Sequence, residues 1–284
     1  MNTARIVVAG AGSIGCFVGG LLTAAGRNVT LLARERMAAE LANHGLHLSS
    51  LEGWALDVAP SVVTKPTAAL ADADLILVTV KSGATAEMAR LIAAHAPPGA
   101  TVVSLQNGVD NADRLHAALP GRRVLAGMVS FNVLHRGEGR FHRGTSGPLI
   151  IEAGDEDALI ALSVPHLQVE AAADMAAVQW GKLLLNLNNA LNALSGLPLK
   201  QQLLDRRWRR VLAASQEEAL SLMAAAGIQP WSMGPLPAHL LPRLLRLPTP
   251  LFRLAASSAV RIDPLARSSM WEDLQRGRPT EIDD

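Results

Sequence analysis

Residues 10–15 read Gly-Ala-Gly-Ser-Ile-Gly, a G-x-G-x-x-G string, and its flanks narrow the fold more than any other feature of the chain. The β-branched run Ile6-Val7-Val8 stands just before it and predicts a buried strand. A small-residue, apolar stretch follows to Gly26 and predicts a helix. In that strand–turn–helix context Gly10 permits the tight turn and Gly12 lets the backbone approach a pyrophosphate. Gly15 allows the helix to pack closely on the strand. The helix N-terminus then attracts phosphate. With Ala11, Ser13 and Ile14, these residues form a candidate dinucleotide loop. An ordinary glycine-rich βαβ turn is the alternative.

The same alternation continues. Residues 28–33, 74–80 and 101–105 predict strands, and residues 35–43 and 84–95 predict helices. Such βαβ repetition implies a parallel sheet covered by helices. Residues 46–63 are less regular, with room for short strands. Between 122 and 152, Gly137, Gly139, Gly144 and Gly147 separate short extended pieces, which suits an antiparallel edge to the sheet. Beyond Glu156 strand signals fade, and residues 174–194, 205–226 and the remainder read as helices. The expected class is therefore α/β: a Rossmann-type dinucleotide-binding domain over residues 1–165, then an all-helical domain over 166–284. A length of 284 residues suits two domains.

Composition excludes several functions. Hydrophobic residues are 49% and charged residues 18%, too apolar for a disordered chain. A net charge of +1 offers no electrostatic footprint for nucleic acid, and 3% aromatics offer no stacking platform. The single Cys16 allows no internal disulfide and no Cys-rich metal site, and no H-E-x-x-H occurs, so no metal is expected. A reducing, cytoplasmic setting follows as the default. Residues 9–26 are uncharged, but six glycines make them a poor membrane span. Residues 236–262 are Leu-rich but broken by Pro237, Pro242, Pro248 and Pro250, which predicts short packed helices rather than a membrane-surface helix. The basic run 206–210 reads as a solvated helix face with a partly buried Trp208. His135, His142 and His166 read as surface or satisfied polar groups.

The end of the second strand bears on the cofactor. An NAD site places Asp or Glu there; this strand ends at Arg34, which suits a 2′-phosphate, with Arg36 as a second positive charge. NADP is therefore favoured, with a solvated Arg34-Glu35-Arg36 turn as the alternative. Lys81 and Asn107 each follow a strand of the sheet, and ligands of open α/β sheets sit outside those strand ends.

In the second half, Lys182, Asn186 and Asn189 share one helix face at i, i+4 and i+7. Leu184, Leu187, Leu191 and Leu194 gather on the opposite face. An exposed helix face is the bland reading. Asparagine is a poor helix former, costing about 0.6 kcal/mol against alanine. Four asparagines, at 186, 188, 189 and 192, therefore suggest side-chain work. A lysine flanked by amides can donate a proton to a carbonyl oxygen that receives a hydride.

Together these elements resemble the ketopantoate reductase (2-dehydropantoate 2-reductase) family over essentially the whole chain. The resemblance rests on the glycine loop, Arg34, Thr79–Lys81, Gln106-Asn107-Gly108, Trp180…Lys182…Asn186, and the closing Ser268-Ser269-Met270…Thr280-Glu281. It implies NADPH-dependent reduction of ketopantoate to pantoate, a step towards pantothenate. It also implies Lys182 as proton donor, with Asn107, Asn186, Asn189, Ser269 and Glu281 on the substrate. The glycine loop, Arg34, Lys81, Asn107 and Glu281 would hold NADP. The partner is then a small 2-oxo acid, with neither nucleic acid nor membrane, and the choice between monomer and homodimer stays open. Three departures stand out. Ala190 takes the place of a second family asparagine. The 128–132 loop is not small and Thr/Ala-rich. The chain ends just after Glu281, where members usually continue. A related dehydrogenase of another 2-oxo or hydroxy acid is the first alternative, and a non-catalytic nucleotide sensor the second.

Overall fold

A computed structural model describes residues 4–232, 236–257, 263–264 and 266–282. The chain divides into two compact units, Met1–Met175 and Ala176–Asp284. The division lies later than the expected 165/166, because one more strand after residue 165 belongs to the sheet.

Unit 1 opens with β1 (Arg5–Ala9), α1 (Ser13–Ala24), β2 (Asn28–Leu32) and α2 (Glu35–His44). There follow β3 (Leu46–Ser50), β4 (Ala55–Val58), β5 (Ser61–Val63), α3 (Pro66–Leu70), β6 (Leu75–Val78) and α4 (Thr85–His95). The unit continues with β7 (Thr101–Ser104), α5 (Asn111–Ala118), β8 (Val124–Val129), β9 (Val133–His135) and β10 (Arg140–Arg143). It closes with β11 (Leu149–Glu152), α6 (Glu156–Leu162) and β12 (Val169–Ala172). Eight strands form the main sheet in the order β12-β11-β8-β7-β6-β1-β2-β5. The pairs from β5 through β8 are parallel, and β11 joins β8 antiparallel.

Alternation explains why the central strands are apolar throughout. Ile6 and Val8 enter one core, while Val7 and Ala9 enter another on the opposite face. Leu75 and Leu77 divide from Ile76 and Val78 in the same way. A sheet covered on both faces needs such continuous runs.

The 46–63 and 122–152 regions resolve differently from expectation. β8 extends the parallel sheet and β11 joins it antiparallel, with β12 beyond it at the edge, but β9 and β10 leave it. They join β3 and β4 in a separate four-stranded sheet, β4-β3-β10-β9. Helix α1 lies between the two sheets: a side chain at Gly19 would strike Leu31, and one at Gly20 would come within 2.9 Å of both Leu46 and Leu48.

The helices that follow are α7 (Met175–Asn186), α8 (Asn188–Ser195), α9 (Leu199–Leu204), α10 (Arg206–Ala225), α11 (Leu241–Arg246), α12 (Thr249–Ala255) and α13 (Ser269–Gln275). In unit 2, α10 packs on α8, α9 and α11, and α13 packs on α8. The α/β unit followed by an all-helical one is the expected architecture. The predicted 174–194 helix is broken at Leu187. Leu184 is buried and Leu187 and Leu191 pack against core, but Leu194 is 79% exposed, so the expected apolar stripe stops one turn early. The short helices expected over 236–262 are α11 and α12; residues 258–262 lie outside the described residues.

The basic run also needs correction. Trp208 is half-buried as expected, but Arg209 is fully buried. Its guanidinium donates to the carbonyls of Leu203, Leu204, Leu245 and Leu247 at 2.8–3.1 Å. These carbonyls close α9 and α11, whose C-termini carry partial negative charge. No helix among the described residues is long and apolar enough to cross a membrane.

Candidate active site

In unit 1 the register aligns Ala9 with Leu32 and Val78, and Val78 with Ser104. The loops carrying Gly10, Arg34, Lys81 and Asn107 therefore leave four adjacent parallel strands at one edge of the sheet. Gly10 has φ +119°, and a side chain there would also meet Val80 at 2.8 Å. At Gly15 a Cβ would fall 2.2 Å from the Gly10 carbonyl. That carbonyl accepts from the Thr79 hydroxyl at 2.6 Å. The fold itself thus demands Gly10 and Gly15.

Gly12 is different. Its backbone is extended, and a Cβ there would meet nothing within 4 Å. Nothing inside the protein requires glycine at this exposed N-cap of α1. The open space lies over the first-turn amides of Ser13, Ile14 and Gly15, which lack intrahelical acceptors. A side chain would fill that cradle, so the loop suits a phosphate that approaches the backbone. Ala11 is buried, and its amide donates to the Leu32 carbonyl at 3.0 Å, which ties the loop to β2.

Arg34 is the N-cap of α2, and Arg34, Glu35 and Arg36 are all exposed. Among the described residues Glu35 pairs with neither arginine. Two guanidinium groups beside a helix N-terminus fit a second phosphate. Lys81 is exposed and caps a 3-10 turn at Ser82–Ala84; Asn107 is exposed at the start of its loop. Beneath them Gln106, Thr85, Asn111 and Ser82 are buried and hydrogen-bonded to one another. Sequence reading singled out the strand-end loops that carry Gln106 and Ser82 but missed Thr85 and Asn111, because nothing local marks a polar residue as buried.

In unit 2, Lys182 is half-buried by surface, yet burial of its ammonium lowers the pKa from 10.5 to about 8. Among the described residues it meets no counter-ion and no hydrogen-bond acceptor. Asn186 and Asn189 are half-buried, and their side chains likewise bond no described protein group. Asn188 and Asn192 are buried and work inside the protein. Asn188 Oδ1 accepts from Gln202 at 2.7 Å, and Asn192 donates to Gln202 and to the Leu197 carbonyl. Gln216 on α10 donates to the Leu184 carbonyl near the helix break, at 3.1 Å. The four asparagines are thus two pairs with different duties.

The two late serines also separate. Ser268 is the buried N-cap of α13; its hydroxyl donates to the Asn189 carbonyl and accepts from the Trp271 amide. Ser269, the expected substrate ligand, is the exposed neighbour at the first helical position. Glu281 is half-buried beyond the helix. Ala190 is half-buried on α8. The unusual 128–132 loop is an internal brace: Phe131 packs 5.8 Å from Phe17 beneath the Arg143 guanidinium, and the Asn132 amide donates to Thr145. His135 pairs with Glu40, in line with its reading as a satisfied group, and His142 Nδ1 bonds the Ser49 hydroxyl.

The family model described as ketopantoate reductase PanE/ApbA matches residues 6–156, and its C-terminal companion matches residues 174–284. The chain is 31% identical to the 2-dehydropantoate 2-reductase of Halobacterium salinarum, over 79% of this chain and 76% of that one. It is 27% identical to the 2-dehydropantoate 2-reductase of Archaeoglobus fulgidus, over 100% of this chain and 88% of the relative. The solved PanE/ApbA family ketopantoate reductase of Ralstonia eutropha shares 30% identity and a TM-score of 0.80, covering 98% of this chain and 88% of its own. With both halves matched in order, the chain belongs to the ketopantoate reductase family.

Proposed function

We propose that this protein reduces 2-dehydropantoate to pantoate with NADPH, a step that supplies pantothenate synthesis. The observation that carries the reading is Lys182: a withdrawn ammonium with no partner among the described residues, on α7 with Asn186, whose amide, like that of Asn189 at the start of α8, also bonds no described protein group. Protein interiors satisfy their polar groups, so a set left open is a set kept for a ligand.

NADPH supplies the hydride for the 2-keto carbon. Lys182 donates a proton to the keto oxygen and stabilises the negative charge that builds there. A pKa near 8 keeps it mostly protonated at neutral pH, yet more acidic than an ordinary lysine. Asn186 and Asn189 orient the keto acid, and Ser269 donates to its carboxylate. Glu281 accepts from the terminal hydroxyl and also contacts the cofactor. Gly10, Ala11, Gly12, Ser13, Ile14 and Gly15 cradle the pyrophosphate. Arg34 holds the 2′-phosphate, Lys81 adds charge on the cofactor, and Asn107 serves both cofactor and substrate.

Two measurements test this. The first compares kcat/KM for ketopantoate and its deoxy analogue, 2-oxo-3,3-dimethylbutanoate, in the wild type and Glu281→Ala. A site built to bond a hydroxyl rejects the analogue by up to about 10⁴, and the variant narrows that gap. Equal use of both acids by the wild type makes the protein a reductase of another 2-oxo acid, the direction in which Ala190 points. The second compares dissociation constants for NADPH and NADH. NADPH binds tighter, and Arg34→Ala weakens NADPH far more than NADH. Equal affinities would remove the 2′-phosphate role from Arg34.

A further inference from the structure

We infer that Asn111 is a positioning residue that sets Asn107 against Lys81 through a buried polar brace. The inference rests on the proposed ligand-binding roles of those two residues.

The brace runs between two backbone carbonyls. Gln106 Nε2 donates to the Val80 carbonyl at 3.0 Å, immediately before Lys81. The same nitrogen donates to Thr85 Oγ1 at 2.7 Å. Thr85 Oγ1 donates to Asn111 Oδ1 at 2.8 Å. Asn111 Nδ2 then donates to Ser82 Oγ at 2.9 Å and to the Asn107 carbonyl at 2.6 Å. Ser104 Oγ closes the remaining end on Gln106 Oε1 at 3.2 Å. The carbonyls of Val80 and Asn107 can only accept, so both amides can face only one way. Every link is thereby oriented from its ends.

Burial makes the brace stiff. Asn111 and Thr85 are each 1% exposed, and Ser82 and Ser104 are 2% exposed. Water cannot substitute for a lost link without a rearrangement of the core. Lys81 and Asn107, in contrast, are exposed on the outer side of the same two loops. The loops follow adjacent strands β6 and β7, whose spacing the ladder fixes at about 4.8 Å. What the ladder does not fix is how each loop turns after leaving its strand. Asn111 supplies that constraint, since it bonds both the turn after Lys81, through Ser82, and the backbone of Asn107. A side chain placed about 1 Å wrong can cost on the order of 10²-fold in rate.

The test is a double-mutant cycle between Asn111 and Asn107. Asn111→Asp keeps the shape and the acceptor for Thr85 but removes both donations. In a protein with Asn107 intact we expect it to lower kcat/KM for ketopantoate about tenfold or more. In an Asn107→Ala background we expect it to cost less than about twofold, because the residue it positions is gone. Equal losses in both backgrounds would overturn the proposal and leave Asn111 a general structural residue. Should Asn111→Asp fail to fold, Thr85→Val replaces it in the same cycle, and Thr85→Ser restores activity. Failure of Thr85→Ser to restore activity overturns the proposal as well. If ketopantoate itself is not turned over, the substrate reading fails, and the cycle read on the NADPH dissociation constant still decides the role of Asn111.

Discussion

Arg209 and Lys182 are both cations withdrawn from water in the helical unit, but the described residues answer only one of them. Arg209 meets four carbonyls and the Thr249 hydroxyl, and its guanidinium lies 4.2 Å over the Phe252 ring. It is the tie that holds the ends of α9 and α11 together. Among the described residues Lys182 meets none of these things, and burial of its ammonium lowers its pKa to about 8. The asparagines repeat the contrast, with Asn188 and Asn192 satisfied by Gln202 and Asn186 and Asn189 left open. A buried polar group that is fully answered builds the fold. One that is left open costs stability, and its purpose lies in what it will bind.

That contrast can be broken by substitution. The largest effect is expected at Lys182→Met, where kcat falls by about 10²–10⁴, the range for a positioned acid. Its melting temperature holds or rises, because an unanswered ammonium gives way to an apolar chain. Turnover within a few-fold of wild type, or a marked loss of stability, would erase the difference between the two cations. Arg209→Met should do the reverse. Each buried acceptor left without a donor costs roughly 1–3 kcal/mol, so urea unfolding should show a loss of about 3 kcal/mol or more. A midpoint equal to wild type would mean that the tie is dispensable. The asparagine pair gives the smallest and sharpest comparison. Asn188→Ala should lower unfolding stability by about 1–3 kcal/mol. Asn186→Ala should change it by less than about 0.5 kcal/mol while raising KM for the keto acid. Matching stability losses in the two variants would merge the pairs again.

Local chemistry made much of this legible in the sequence. The Gly10–Gly15 loop and the parallel strands depend on neighbours a few residues apart, whereas the expected single face of Lys182, Asn186 and Asn189 is split by the break at Leu187. The second sheet was not legible, because β3 pairs with β10 across about ninety residues, from Leu48 to Phe141, and each strand is too short to declare its partner. The four asparagines looked alike for the same reason. Asn188 and Asn192 are satisfied by Gln202, which arrives from another helix, and by the Ser268 amide, which donates to Asn192 at 2.8 Å. Arg209 was hidden among four exposed-looking arginines, since its acceptors at Leu245 and Leu247 come from the end of α11, distant in sequence. Ser269 was favoured over Ser268 by the family resemblance, and only the capping geometry tells the buried serine from the exposed one.

The dependence of kcat/KM for ketopantoate on pH, from about 6 to 10, examines the role of Lys182 most directly. An acid must carry its proton, and kcat/KM reports the ionisation of the unliganded form. With burial lowering the Lys182 pKa from 10.5 to about 8, kcat/KM should be level below that pH. Above it, the value should fall tenfold for each further pH unit. A profile that stays level to pH 10, or that rises with pH as a general base requires, would contradict Lys182 as the proton donor.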